Sequence, residues 1–566
     1  STFQAATLPA EPVEVLLRAE QSLTIDQLRG VALDDDPPLL GRPSKPYDPR
    51  MTDAYPPGEA PYVARDILPF RLNHFHCEFN YGGWHNFGMT DYAVSHGFEI
   101  IYPYVREADQ AGHLPVGTQW LTWGGFINWH TWFSEHGLPD GRYDLLVDED
   151  LVGIHTEEGE FVNDEESESL KNRGDYLMID MEHPVLSPTN LRLQTWYPQD
   201  GAGAEKEAFE KKYYEGYAQT YVSAVATARR EGWRNISLYG WAPYGRTWGG
   251  LETPEAEPGT DHAWNMFGRR IYDSVDIVNN SVYCFYWSPK NTAFTLANID
   301  SNMVLVDSMP TKKPVRPYYW TLLHGGGGGW RWWKGQPMAD EEQRAMIAMA
   351  FFAGIDGFDS WNWSGVGNHH VAPSLLELVD SNDYFSSGRD VMLKEGFQLL
   401  PENAPNDMAP EQFNRYDVLH LLTVDEASEI VRFQKIRPQT NNHGVTDDQP
   451  VFEMSIGELQ RRLRAKSEPV AAMIEGMALV KLFEYSLRHG EVKIDVSARR
   501  QFHETLPVVR RVKCGPVHIL CTYDPQVVYG SEPREIILSD FDGIPGRTLR
   551  LPADAQTRIF VLREEL

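Results

Sequence analysis

Between about residue 66 and residue 365 the chain alternates two kinds of apolar pattern. Short, nearly continuous apolar runs rich in aromatic and β-branched residues read as strands buried on both faces. They are FRLNHFHCEF, FEIIYPY, DLVGIHT, YLMIDME, NISLYGW, SVYCFYW, VRPYYWTLL and GIDGFDSWNW. Between them, EKEAFEKKYYEGYAQTYVSAVATARREG and ADEEQRAMIAMAFFAGI carry apolar residues at three- and four-residue spacing, which predicts helices. Eight strands with helical crossovers predict an α/β fold, a (β/α)8 TIM-like barrel.

The flanks break this rhythm. Residues 1–65 (DDDPPLLGRPSKPYDP, YPPGEAP) are rich in Pro and Asp and predict an extended N-terminal arm. Within a barrel region spanning 66–495, residues 366–465 are turn-rich, contain RYDVLHLLTV and SEIVRFQKI, and predict an insertion in the last strand–helix connection. EPVAAMIEGMALVKLFEYSLRHG predicts a helix ending at Gly490. Short strands punctuated by Gly and Pro follow (PVHILCTYDP, REIILSDFDG, RTLRLPA, TRIFVLREE), so 496–566 predicts a small antiparallel, sandwich-like β domain.

One strand carries the candidate chemistry. In YLMIDMEHP, residues 176–184, period-two alternation puts Tyr176, Met178, Asp180 and Glu182 on one face and Leu177, Ile179 and Met181 on the other. Pro184 closes the run, since Pro donates no ladder hydrogen bond. Two acids thus emerge at the C-terminal end of a doubly buried strand, where α/β folds collect their active sites. The plainer alternative is that they cap loop groups or pair with basic residues.

Charge narrows the partners. With 51 Lys and Arg against 81 Asp and Glu the net charge is −30, which disfavours nucleic acid and anionic membranes. No apolar run reaches the length that spans a bilayer. Cys77, Cys284, Cys514 and Cys521 show no metal-site spacing; Cys514 and Cys521 are close enough in sequence to pair, though free buried thiols are the simpler expectation. The chain starts at Ser1 without Met, which fits a secreted or periplasmic protein whose signal peptide has been removed.

All 17 Trp residues lie between Trp84 and Trp363, many at predicted strand ends: Trp241, Trp287, Trp330 and Trp361 among them. An indole offers an apolar face and an N–H donor, a match for the C–H faces and hydroxyls of sugars. Such clusters as WGGFINWHTW, WAPYGRTW and GWRWW, set among Gly, Pro and polar residues, point to a carbohydrate cleft; burial in a large core explains only some of them. HGGGGGWRWWKG fits close backbone approach to a ligand, a mobile lid or a plain flexible loop, and lacks the signature of a phosphate loop.

Rival chemistries differ in what they require. His74 and His76 with Asp359 resemble part of an amidohydrolase metal site, but YLMIDME, ISLYGW and VYCFYW supply none of that family's other ligands. His76 bonded to Glu78 or to substrate hydroxyls, with no metal or cofactor, is the better expectation. IDMEHP is similar to the strand-four motif of α-glucosidases, which would make Asp180 a nucleophile. A D-x-E pair also suits substrate assistance, in which a substrate acetamido group attacks, Glu182 protonates the leaving oxygen and Asp180 orients the acetamido. Asp180 would then also raise the pKa of Glu182.

The order of landmarks resembles the hyaluronidase family, with chitinases as more distant relatives. YLMIDME matches that family's strand-four D-x-E, LYGWAPYG its strand five, FYWSPKNTAF its strand six, VRPYYW its strand seven, and AMAFFAGIDGFDSWNW its final helix and strand. The resemblance implies Glu182 as general acid, Asp180 as orienting acid, and Tyr239, Tyr286 and Trp361 near the substrate. Trp241, Tyr244, Trp287 and Trp330 are further substrate-binding candidates from their places near predicted strand ends. The Trp/Arg-rich continuation after Glu182 and the family's cysteine framework are absent. The expected activity is glycoside hydrolysis of a poly- or oligosaccharide; a sugar-binding protein without catalysis would leave the acid pair idle.

Overall fold

The computed structural model describes residues 22–24, 71–75, 99–103 and 119–125, parts of 133–146, residues 176–180, most of 185–360, most of 387–463, scattered positions between 476 and 487, and most of 490–563. The fold is mixed α/β. After β1 (Ser22–Thr24), eight strands form one parallel sheet: β2 (Arg71–Phe75), β3 (Glu99–Pro103), β4 (Gln119–Gly125), β5 (Tyr176–Asp180), β6 (Ile236–Tyr239), β7 (Ile277–Asn279), β8 (Tyr318–Tyr319) and β9 (Gly357–Ser360). Their spatial order is β7-β6-β5-β4-β3-β2-β9-β8. Parallel bridges Val278↔Val315 and Ser281↔Tyr318 link the two ends of that order. Backbone bonds from Arg316 N to Val278 O and from Tyr318 N to Asn280 O, both 2.8 Å, reinforce them. The strands at both ends therefore have a hydrogen-bonded neighbour on each side.

Two elements differ from the sequence reading. The sheet's third strand is β4, QWLTWGG, a run that the sequence pattern did not mark as a strand, whereas DLVGIHT lies outside the described residues. The sixth strand is centred on Ile277–Asn279, upstream of SVYCFYW, which enters the sheet only through the bridge at Ser281. The short IVN segment offered too few residues for a periodic signal.

Helices occupy the crossovers of the second half: α1 (Pro188–Arg192) and α2 (Gly203–Arg230) after β5, α3 (His262–Ser274) after β6, α4 (Asn291–Asp307) after β7 and α5 (Asp340–Phe352) after β8. α2 buries Tyr213, Tyr214, Tyr217, Ala218, Tyr221, Ala224, Val225 and Ala228, a stripe at three- and four-residue spacing that packs with Leu177 and Ile179 of β5. Gly354, at φ +101°, ends α5 in a conformation that favours glycine and turns the chain into β9.

The insertion forms its own antiparallel sheet. β10 (Asp390–Met392), β13 (Val418–Asp425), β14 (Ile430–Ile436) and β15 (Phe452–Ser455) pair in that order, and the hairpin β11 (Phe397–Leu399)–β12 (Glu411–Phe413) and helix α6 (Ile456–Leu463) accompany them. Phe397, Phe413, Phe433 and Phe452 centre its separate core. Within the region read as a helix over 468–490, Gly476, Val480, Phe483 and Leu487 are buried at three- and four-residue spacing.

The C-terminal sheet runs β1-β21-β18-β17-β16, from β16 (Glu491–Lys493), β17 (Val508–Cys514), β18 (Val517–Tyr523) and β21 (Arg558–Arg563), with α7 (Ala498–Glu504) beside it and a separate ladder β19 (Arg534–Leu538)–β20 (Arg547–Leu551). The N-terminal arm thus lends its strand to this sheet, Ser22 opposite Phe560. Val508, Val512, Ile519 and Val561 share one core with α4 and α5. Buried Arg510 crosses to Asp300 of α4 at 2.6 Å. Cys514 pairs with Val517 at the hairpin turn, whereas Cys521 lies opposite Arg510; Cys521 is a free, buried thiol.

Gly216 sits in the middle of α2, where glycine costs about 1 kcal/mol against alanine. Its reason is Tyr143, in the short turn Tyr143–Leu145: a Cβ at 216 would lie 2.0 Å from the Tyr143 carbonyl oxygen. Gly216→Ala should therefore lower unfolding free energy by about 1–3 kcal/mol, the cost of overpacking, despite its better helix propensity. Denaturant unfolding checks the sign.

Candidate active site

Alternation along β5 decides which face is which. Leu177 and Ile179 belong to the large core beneath the helices, while Met178 belongs to a small cluster with Ile277, Tyr283 and Tyr318. Tyr239, Phe285 and Trp320 pack on that second cluster. The same split recurs on neighbouring strands: Ile236 and Leu238 face the helices, as do Val278, Tyr319 and Phe358. The parallel sheet therefore has a helix-covered outer face and an aromatic inner face.

The inner face is built edge to face. The Tyr239 ring lies 5.2 Å from Tyr318 at 70° and 5.9 Å from Tyr283, and Tyr283 meets Trp320 at 5.8 Å. Such geometry matches the positive ring edge to the negative ring face. Buried polar residues share this face, Asn279 and Asp359 among them. Asn279, the last residue of β7, donates one amide hydrogen to the Arg316 carbonyl at 2.6 Å and the other to the Asp359 carboxylate of β9. Asn279 and Asp359 are each only 1% exposed. The pair reaches across the intervening β8, whose Tyr318 is the register partner of Asp359.

Asp180 is the last residue of β5, opposite Gly125 of β4. Glu182, Trp241, Tyr244, Trp287, Trp330, Trp361, His76 and Glu78 lie outside the described residues. Tyr239 joins the inner cluster. Tyr286 does not share it: its ring lies 4.9 Å from Trp248, which packs in turn on Phe294 of α4 and Phe502 of α7, at 5.5 and 4.8 Å. Asn279, Tyr283, Tyr318 and Trp320 were not singled out from sequence, whereas alternation along β5 already put Met178 on the face of Asp180. For Asn279 and Tyr283 the signal becomes readable only once strand six is correctly placed. Among the described residues, no group of three His, Cys, Asp or Glu side chains is arranged to hold a metal ion. Burial, with a further contribution from Glu342, pushes the Cys284 thiol well above its ordinary range, and burial does the same to Cys521, so neither is an activated nucleophile.

The segment leaving β5 is clamped soon after the candidate acids. The Tyr213 hydroxyl accepts from Leu186 N at 3.3 Å and the Tyr214 hydroxyl donates to Leu186 O at 3.0 Å. Ser187 then caps α1, accepting from Asn190 N at 3.3 Å. Arg192 at the end of α1 forks onto Glu210 of α2 at 2.7 and 2.9 Å, and the Tyr197 hydroxyl donates to Glu210 at 2.6 Å. The long helix α2 thus fixes the path of the chain that carries the site.

No protein-family model matches the sequence, and no curated protein does. Solved structures similar to it include bee venom hyaluronidase, at a TM-score of 0.36 and 13% identity, covering 55% of this chain and 97% of that one. Another is an Anoxybacillus α-amylase, at a TM-score of 0.29 and 10% identity, covering 93% of this chain and 95% of that one.

The Glu210 cluster has a defined pH signature. Burial pushes its carboxyl up, but the Arg192 and Tyr197 hydrogen bonds outweigh it and hold the pKa below the ordinary 4.5. A carboxylate with a lowered folded pKa contributes stability above its unfolded pKa and loses that contribution as pH falls through the folded value. Glu210→Gln should therefore melt below the wild type at neutral pH, with the gap closing as pH drops below about 4.5. Thermal midpoints of both proteins across that range provide the measurement.

Proposed function

We propose that the chain is a glycoside hydrolase built on a (β/α)8 barrel, with Glu182 as general acid and Asp180 as orienting acid. The observation that carries this reading is the position of β5. It lies within an all-parallel sheet, and its Met178 stands on the inner face among Tyr239, Tyr283, Tyr318 and Trp320. Period-two alternation puts position 180, the last of the strand, in phase with Met178, and Glu182 follows two residues on in the sequence. An aromatic inner face beneath an acid pair suits a sugar ring, which needs flat apolar cover and a proton donor at the glycosidic oxygen.

Within this reading the substrate is a poly- or oligosaccharide carrying N-acetylhexosamine, whose acetamido oxygen attacks the anomeric carbon. Asp180 holds the acetamido N–H and its negative charge keeps Glu182 protonated near neutrality. Glu182 passes its proton to the leaving oxygen, and then, as a carboxylate, takes one from the water that opens the cyclic intermediate. Neither metal nor cofactor enters these steps. Such a substrate fits a secreted or periplasmic location.

Glu182→Gln keeps the side chain's shape and removes its proton, so turnover should fall by about 10²–10⁴-fold with KM nearly unchanged. Asp180→Asn should be of similar severity. Sugar release from purified polysaccharides with and without N-acetyl groups is the assay. An N-acetyl thiazoline mimic should inhibit, and a mechanism-based fluoro-sugar should leave Asp180 unlabelled; a label on Asp180 would instead make it a nucleophile. Near-wild-type turnover by Glu182→Gln defeats the proposal.

A further inference from the structure

Asp359 is a charged group buried where the proposed chemistry does not use it. A carboxylate taken out of water is costly unless hydrogen-bonded. Asn279 supplies such a bond from two strands away, and its amide orientation is fixed because the second N–H is committed to the Arg316 carbonyl. Asp359 and Tyr318 are register partners on adjacent parallel strands, so their side chains leave the sheet on the same face. Tyr318 in turn sets the edge-to-face contact with Tyr239 and packs on Met178, two residues before Asp180.

We propose that Asn279 and Asp359 form a positioning pair for the active site. The pair fixes Tyr318, and through it the aromatic floor beneath the strand-five acids, without touching substrate. In a barrel, alternate strands contribute the side chains of one interior layer. Met178, Asn279 and Asp359 come from the barrel's fourth, sixth and eighth strands, which makes them one layer, a step below position 180. A polar pair suits this place because a hydrogen bond fixes side-chain direction, whereas apolar packing alone tolerates sliding. The catalytic consequence rests on the glycosidase reading; the positioning of the rings does not.

The test uses the full chain with two comparisons, each read by near-ultraviolet circular dichroism of the ring cluster and by KM and kcat on the polysaccharide that the wild type cleaves. In the first, Asp359→Leu removes the acceptor, while Asp359→Asn keeps the shape and an amide oxygen for Asn279. Leucine should alter the ring spectrum and cut kcat by about 10- to 100-fold at little-changed KM, as expected of misplacement. Asparagine should restore most of both. In the second, Asn279→Asp sets two carboxylates against each other, and adding Asp359→Asn restores one acid and one amide in exchanged places. The exchange should recover what Asn279→Asp loses. An unchanged spectrum and kcat in Asp359→Leu, a rise in KM with kcat held, or asparagine as damaging as leucine overturns the proposal; so does an exchange that recovers nothing. If the wild type cleaves no polysaccharide, the glycosidase reading fails, and the spectra of the same variants still decide the pair's role.

Discussion

The organisation of this protein depends on one constraint: a strand in an all-parallel sheet must bury both faces, and period two sends successive side chains to opposite sides. Along β5 this assigns Leu177 and Ile179 to the helices and Met178 to the aromatic face. The outer face is satisfied by long apolar helices. Among the described residues, the inner face carries rings meeting edge to face and a hydrogen-bonded amide–carboxylate pair. A slip of one residue in β5 would exchange the two sets, turning Met178 to the helices and Leu177 and Ile179 to the rings. Register is therefore what keeps the two faces distinct.

Support for that register comes from outside the sheet. α2 packs its tyrosine stripe on β5, accepts the Tyr143 backbone at Gly216, and ties down the segment after the acids through Tyr213, Tyr214 and Glu210. On the far side, α4 and α5 are held in turn by the C-terminal sheet through a shared core and the Arg510–Asp300 contact. The C-terminal sheet also recruits β1, so that the two ends of the described chain meet in one antiparallel ladder. The insertion stands apart in this respect, with an aromatic core of its own.

Much of this was readable from pattern. The long helix α2, the helix α5, the strands at Arg71–Phe75, Tyr176–Asp180 and Gly357–Ser360, and the antiparallel ladders after residue 500 all follow from local periodicity that no tertiary contact had to override. Other elements escaped the pattern. QWLTWGG was not read as a strand, because tryptophan in a Gly-rich run lacks a distinctive period, yet it forms one. The three-residue β7 is too short to announce itself, and it takes its place from pairing with its neighbours. The simpler expectation for the cysteines held at Cys521, a free buried thiol that the hairpin register sets against Arg510.

The sequence by itself determined the strand that ends at Asp180 and the alternation of its side chains, because period is a local property. It determined too that aromatic residues gather near the ends of neighbouring strands. Only the tertiary structure decided which rings share a face: Tyr239 joins Tyr283, Tyr318 and Trp320, while Tyr286, one residue past the inward Phe285, turns outward to Trp248. It alone brought Asn279 to Asp359 across 80 residues of chain. The physical reason is that local period fixes the direction of a side chain relative to its own strand, whereas the partner it meets depends on sheet order and register, which many distant contacts set together.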